Sequence, residues 1–312
     1  MSYLSALTAR LGLSFAVILG VATLVFFLIH LIPGDPVLVA LGEYVSSADY
    51  AGMRSRLGLD RPLLAQWIAF LGGVVRLDLG TSLASGAPVA GLLGDCFTMT
   101  LVLAGASLAI AIATGIPLGI AAAVRRGGLW DRCSSAVAVA AMSLPNFVLG
   151  PLLILVFAVS LRWVPVSGAE DAGSLILPAL TLGLSMAALL ARMTRAALVE
   201  VLQEPFIVAA RARGLAESRV VLRHALATAS LPILTAIGLQ LGALLGGAVV
   251  TEAVFDWPGL GQLLIDAIYR RDYPVVQGGV LLIASVYVLV NTLIDLMYLA
   301  IDPRIAQGRR AG

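Results

Sequence analysis

The sequence predicts an all-α membrane protein with six transmembrane helices and both termini on the cytoplasmic side. Three observations predict it. Of 312 residues, 60% are hydrophobic and 12% charged, and the mean hydropathy is +1.00. A soluble domain carries roughly 25% charged residues because its surface must stay wet, so the bilayer is the solvent this composition fits. Six stretches reach or approach the ~20 apolar residues that cross a hydrocarbon core. The arginines collect in alternate connections between those stretches, the asymmetry of the positive-inside rule.

Taken in order, the spans are Leu11–Ile32, Cys96–Val124, Cys133–Leu161, Ser174–Ala191, Ala225–Thr251 and Val275–Ile301, the fourth being the shortest. Gly115, Pro117, Pro145, Pro151, Pro178 and Pro232 fall inside them, as membrane helices tolerate when neighbours satisfy the freed backbone groups. The first stretch exceeds the roughly 7–15 residues of a signal-peptide core. It runs into Ile32-Pro33-Gly34-Asp35-Pro36 without a small-x-small cleavage site, so it reads as a retained anchor. With the N-terminus inside, cytoplasmic segments hold 13 arginines and outer segments 7. Four of those seven lie in the extracytoplasmic insert 33–95 between helices 1 and 2, and long loops count little in this rule.

Within the insert, Arg61–Arg76 (RPLLAQWIAFLGGVVR) reads as an amphipathic helix. It either lies on the membrane surface or packs on a small core of the insert itself. Otherwise the chain reads as a single transmembrane domain, 1–312.

Several functions are excluded by what the chain lacks. All 20 basic residues are arginine, whereas phosphate-cradling loops, kinases and Schiff-base enzymes each need a lysine. A net charge of +2 with no basic tract gives no nucleic-acid footprint. Cys96 and Cys133 make no disulfide framework, and His30 and His224 are far apart, so no grouping has metal-ligand spacing. Gly259 and Gly261 lack the preceding strand and third glycine of a dinucleotide fingerprint and instead shape an outer turn before the amphipathic run Gln262–Tyr269.

The cytoplasmic segment 192–224 mixes charges and apolar residues at helical spacing. Pro205 suits a first helical turn and Gly214 a left-handed C-terminal cap. Between them the spacing predicts a short helix, Phe206 to Arg213, presenting Ala209 and Ala210 with flanking Arg211 and Arg213. Such a helix is small enough to seat in a groove of a soluble partner; a solvated hairpin is the other reading. His224 pairs with such a partner or with Glu217, or is a surface histidine at the interface.

Asp295 lies deep in the last span, where an ionisable group costs at least about 2.5–3.5 kcal/mol. Asn291 and Tyr287 precede it by four and eight residues on one helix face, with Tyr298 nearby. They line a solute path, or they form a hydrogen-bonded seam between helices.

Residues 209–226 (AARARGLAESRVVLRHAL), followed by Leu231-Pro232, resemble the "EAA" coupling loop of permeases in ATP-binding-cassette (ABC) importers; the glutamate that names the motif is Val208 here. LIPGDPV (31–37), LGLDRPLLAQW (57–67), LDLGTSL (77–83), IPLGIAAAVRRGGLWDR (116–132), WVPVSG (163–168), VFDWPGLGQLLIDAIYRRDYPVVQG (254–278) and NTLIDLMYLAIDPRI (291–305) are similar to the dipeptide/oligopeptide branch. The likeness spans nearly the whole chain, in order, and is to the first of the two permeases in such systems.

That resemblance implies an inner-membrane transport subunit, not an enzyme, paired with a second related permease. It implies two cytoplasmic ATPases that bind ATP and Mg, an extracytoplasmic solute-binding protein, and no cofactor in this chain. Ala209, Ala210, Arg211, Arg213 and Gly214 would form the ATPase-coupling loop. Glu252, Asp256, Asp266 and Asp272 would make an acidic outer docking face, or be solvated loop charge. Branch members take up peptides, and some take nickel chelates, glutathione or other small solutes. The rival class, an ion-driven secondary transporter, carries intramembrane carboxylates and internal repeats; only Asp295 is deep in a span here, and no repeat is visible.

Overall fold

The computed structural model describes residues 3–31, 37–38, 46–56, 58–129, 131–132, 136, 138, 140 and 143–301. Regular structure among them is helical, apart from an isolated antiparallel bridge between Thr81 and Pro88. The helices are α1 (Tyr3–Leu31), α2 (Ser47–Arg56), α3 (Leu63–Val75), α4 (Val89–Val124), α5 (Asn146–Leu153), α6 (Ile176–Val201), α7 (Pro205–Ala212), α8 (Leu226–Phe255), α9 (Leu260–Tyr269) and α10 (Tyr273–Ile301). α5 continues as a π-helical stretch, Ile154–Ser160, and α6 is entered through a 3-10 turn, Ala172–Leu175. A short turn, Glu217–Arg219, and a π-helical turn, Val220–Ala225, lead into α8.

Among the described residues, five segments are long and apolar enough to cross a membrane: Gly12–Leu31, Val89–Val124, Ala172–Val201, Glu217–Leu244 and Tyr273–Ile294. The expected span at Cys133–Leu161 lies partly outside the described residues, Cys133 included; its described part, Asn146–Ser160, is a shorter apolar helix. The fourth expected span is longer than its apolar stretch, because helix continues past Ala191 through Arg192 and Arg195 to Val201.

The chain forms two compact units, one of Met1–Thr100 with Pro258–Leu289, the other of Leu101–Trp257 with Val290–Gly312; two of the boundaries fall within α4 and α10 and the third between α8 and α9. In the first unit, Val25 and Ile29 of α1 cluster with Val89, Leu93, Leu260, Ala267, Val275 and Val276. Asp272 is 3% exposed. Its carboxylate accepts the Ser82 hydroxyl proton and the N–H groups of Leu83 (3.0 Å) and Ala84 (3.2 Å), closing the 82–85 turn. Thr100 Oγ1 accepts the Leu260 N–H at 2.8 Å, which fixes the start of α9.

The second unit is built on α6, whose buried face carries Ala179, Leu182, Ala187, Leu190, Ala197 and Leu198. α8 packs along α6, and α5 packs against both. Small residues allow membrane helices to approach closely, and α4 meets α6 on such a seam. A Cβ at Gly115 would stand 2.7 Å from the Ala187 carbonyl oxygen, and one at Gly119 2.6 Å from that of Ala191. From the other side, a Cβ at Gly183 would stand 2.9 Å from the Ser107 carbonyl oxygen.

Two expectations need correction. The four outer acidic residues do not form one exposed face: Glu252 and Asp272 are buried, and only Asp256 and Asp266 are exposed. Glu217 pairs with Arg211 rather than with His224.

Candidate functional site

The segment between α6 and α8 carries exposed apolar and basic side chains side by side. Glu204 is extended at the N-terminal cap of α7, and Pro205 stands in the first turn, where its missing N–H costs nothing. At the other end the Gly214 N–H donates to the Arg211 carbonyl at 2.9 Å, and the Leu215 N–H to the Ala210 carbonyl at 3.4 Å. Gly214 sits at φ +76, the left-handed geometry that glycine reaches without a Cβ clash.

The helix divides sharply by exposure. Ile207 is fully buried and Ala210 is 9% exposed, both in a cluster with Leu190, Leu198, Val220, Ala225 and Ala229. Complete burial of an isoleucine side chain contributes roughly 1.5–3 kcal/mol, so α7 is locked to the unit rather than hanging from a solvated loop. Phe206 is 44% exposed and Val208 59% exposed. Ala209, Ala212 and Arg213 are exposed beside them. Ala210 therefore belongs to the seated face, which corrects the expectation that Ala209 and Ala210 are presented together.

Arg211 makes a two-point ion pair with Glu217, Nε to Oε2 at 3.1 Å and Nη2 to Oε1 at 2.6 Å. The carboxylate holds the Arg211 guanidinium above its ordinary value through that hydrogen bond. The pair bridges the Gly214 turn. Arg219, Leu222 and Arg223 are exposed on the following turns, so an apolar patch stands among basic side chains.

A second feature braces this region. Asp131 is 5% exposed, and its carboxylate takes the Arg195 fork at 2.6 and 2.9 Å and the Gly127 N–H at 2.8 Å. The Arg195 hydrogen bond, followed by that from Gly127, holds the Asp131 carboxyl at about 2. The connection after α4 is thereby fastened to α6 ten residues before α7 begins. Sequence reasoning missed this pair because its members are 64 residues apart. It also did not find the exposure of Phe206 and Val208, which it placed only as the start of the short helix and as the position of the missing motif glutamate.

On α10, Tyr287 is 49% exposed and Asn291 is half-buried, and each interacts with other groups of the chain. Asp295 lies on the same helix, and its side chain, like that of Tyr298, is outside the described residues. No group of three or more His, Cys, Asp or Glu with metal-holding geometry occurs among the described residues.

Residues 115–307 match the family described as "Binding-protein-dependent transport system inner membrane component", and residues 3–104 match its N-terminal companion. A glutathione transport system permease protein, GsiC of Pectobacterium atrosepticum, is 47% identical over 91% of this chain and 93% of its own length. The dipeptide transport system permease protein DppB of Escherichia coli K12 is 42% identical over 95% of this chain and 97% of its own. Among solved structures, a chain of the MetNI methionine ABC transporter in an inward-facing conformation is similar at a TM-score of 0.58 and 26% identity, covering 68% of this chain and 96% of the other.

Proposed function

The chain belongs to the binding-protein-dependent transport system inner membrane component family and is a multi-pass, inner-membrane permease subunit of an ABC importer; from that premise we propose that α7 is the element through which partner ATPases drive it. The observation that carries the reading is the split of α7. Ile207 and Ala210 are sunk in the core of its own unit, while Phe206 and Val208 stand out with Arg213 beside them. A helix held on one face and apolar on the other transmits force, because displacement of the outer face moves the residues the inner face touches. Through Leu198, Val220 and Ala229, those residues belong to α6, the π turn and α8.

The chain spans the bilayer six times with both termini in the cytoplasm, and the 33–95 insert faces the other side, where a solute-binding protein docks. ATP and Mg bind to two cytoplasmic ATPases, and hydrolysis occurs there. A second, related permease completes the path. Coupling requires the ATPases to bind the two permease states with different affinity. The cargo is a peptide or peptide-like solute. Both quoted relatives carry names of that chemistry, dipeptide and glutathione, and the affinity of the cognate binding protein for such solutes tests it. By sequence spacing Tyr287, Asn291 and Asp295 share one face of α10, a face suited to hydrogen bonding between helices.

Phe206→Glu tests the coupling surface. An apolar anchor worth ~1.4 kcal/mol is tenfold in affinity, so co-purification of the ATPases should fall about tenfold or more with membrane abundance unchanged. Val166→Glu, an equally exposed apolar position in a different connection, should leave it intact. Retention of the ATPases by Phe206→Glu would remove α7 as the docking element.

A further inference from the structure

We propose that α3, in the long connection after the first span, is an interfacial membrane helix whose outward face is covered by lipid acyl chains. Its thirteen residues carry no charge, and none of them is buried within the protein. Leu64, Ile68 and Val75 recur on one helix face and are 63%, 58% and 81% exposed. An uninterrupted apolar face of this kind marks an interaction surface. What covers it follows from where the helix is attached.

The opposite face of α3 is fastened to α1 inside the first span. Trp67 Nε1 donates to Thr23 Oγ1 at 3.3 Å, Phe70 stacks on Phe26 with ring centroids 5.7 Å apart, and the Gln66 amide oxygen lies 3.3 Å from His30 Nε2. The apolar part of α1 that is long enough to cross runs from Gly12 to Leu31; with that stretch as the crossing segment, Thr23 lies about 12 Å short of its end at 1.5 Å per residue. The hydrocarbon core is ~30 Å thick, so the Trp67 indole is attached well below its edge. The residues on the other face of α3 stand at comparable depth, where the material available to cover them is acyl chain.

The flanks agree. Arg61 and Arg76 bound the apolar run, and arginine stems extend along apolar surface while their heads reach the headgroup layer. Tryptophan is itself favoured at the membrane interface. A binding protein approaching from water would have to displace lipid to reach Ile68. The loop Thr81–Pro88, by contrast, carries exposed Ala84 and Ser85 on polar turns and is suited to water.

The test uses the intact importer in phosphatidylethanolamine/phosphatidylglycerol vesicles, with Cys96 and Cys133 replaced by Ala and a nitroxide on Ile68→Cys. Collisions with oxygen, which partitions into lipid, are compared with collisions with a water-soluble nickel chelate, and Ser85→Cys serves as the aqueous reference. The Ile68 label should be reached by oxygen, with nickel collisions roughly an order of magnitude below those at Ser85, as expected in a region without water. Leu64→Cys should repeat the result, so one poorly folding variant does not decide it. Nickel access equal to that at Ser85 would place α3 in water. Shielding from both reagents would mean a protein partner covers it. Either outcome overturns the lipid assignment and leaves the α7 reading untouched.

Discussion

Gly214 is the residue on which the geometry of α7 turns. A Cβ there would meet nothing within 4 Å, so the only objection to a side chain is the backbone itself. A β-branched residue at φ +76 pays about 1–2 kcal/mol, which is small beside the packing of the unit. Gly214→Val should therefore reach the membrane at wild-type abundance. To escape the strain it must rotate out of the left-handed region, losing the Leu215 and Gly214 N–H bonds that end the helix. Solute-stimulated ATP hydrolysis should fall several-fold, whereas Gly214→Asn, which tolerates left-handed geometry, should keep most of it. Normal transport by Gly214→Val would show that the cap does not position the coupling surface. Asp131 gives a second residue-scale test. Its carboxyl is depressed to about 2 against an ordinary 3.8, so its contribution to stability is complete above the ordinary value and disappears as pH falls towards the depressed one. The difference in detergent melting temperature between wild type and Asp131→Asn should be constant from about pH 7 to pH 5 and close only below about pH 4. A gap that closes already near pH 6 would assign the stabilisation to another group.

The helices themselves show which signals a sequence can carry. Pro205 and Gly214 bracket α7 because both act through their own backbone, which local reading detects. The face of α7 was not legible. Phe206 through Ala210 are five consecutive apolar residues, and a run without polar interruption has no periodicity from which to choose the buried side; the cluster around Leu198 and Val220 chooses Ile207 and Ala210. The α4–α6 seam was half legible. Gly115 and Gly119 have G-x-x-x-G spacing, but the spacing does not name the partner helix. Asp272 illustrates the converse error, since an acidic residue in a polar loop reads as solvated until a turn 190 positions away takes its carboxylate. The seam predicts its own experiment. Gly119→Leu must push α4 off Ala191 and Thr194, at an overpacking cost of roughly 1–3 kcal/mol, and should lower the melting temperature of the solubilised permease. Gly105→Leu, on the same helix with nothing within 4 Å of its Cβ, should change it little. Equal effects at the two positions would mean that the seam is not a close contact in the membrane.

For the whole molecule, the number of spans is a matter of parity. Between the insert and the α7 segment lie α4, the described helix Asn146–Ser160 and α6. α4 and α6 are each long enough to cross. If Asn146–Ser160 belongs to a third crossing, Ser85 and Ser218 lie on opposite sides of the membrane; if it dips in and returns, they lie on the same side. The arginine distribution favours three crossings. Arg192, Arg195, Arg211, Arg213, Arg219 and Arg223 fall within 32 positions around α7, and short arginine-rich connections stay in the cytoplasm. A same-side arrangement would place either those six arginines outside or the insert inside. Single cysteines at Ser85 and Ser218, both exposed, in a background with the native cysteines replaced, should react differently with a membrane-impermeant maleimide applied to intact spheroplasts. Ser85→Cys should label at once, and Ser218→Cys only after lysis. Labelling of both before lysis would reduce the crossings between them to an even number and put α7 on the same side as the insert, where no cytoplasmic ATPase could reach it.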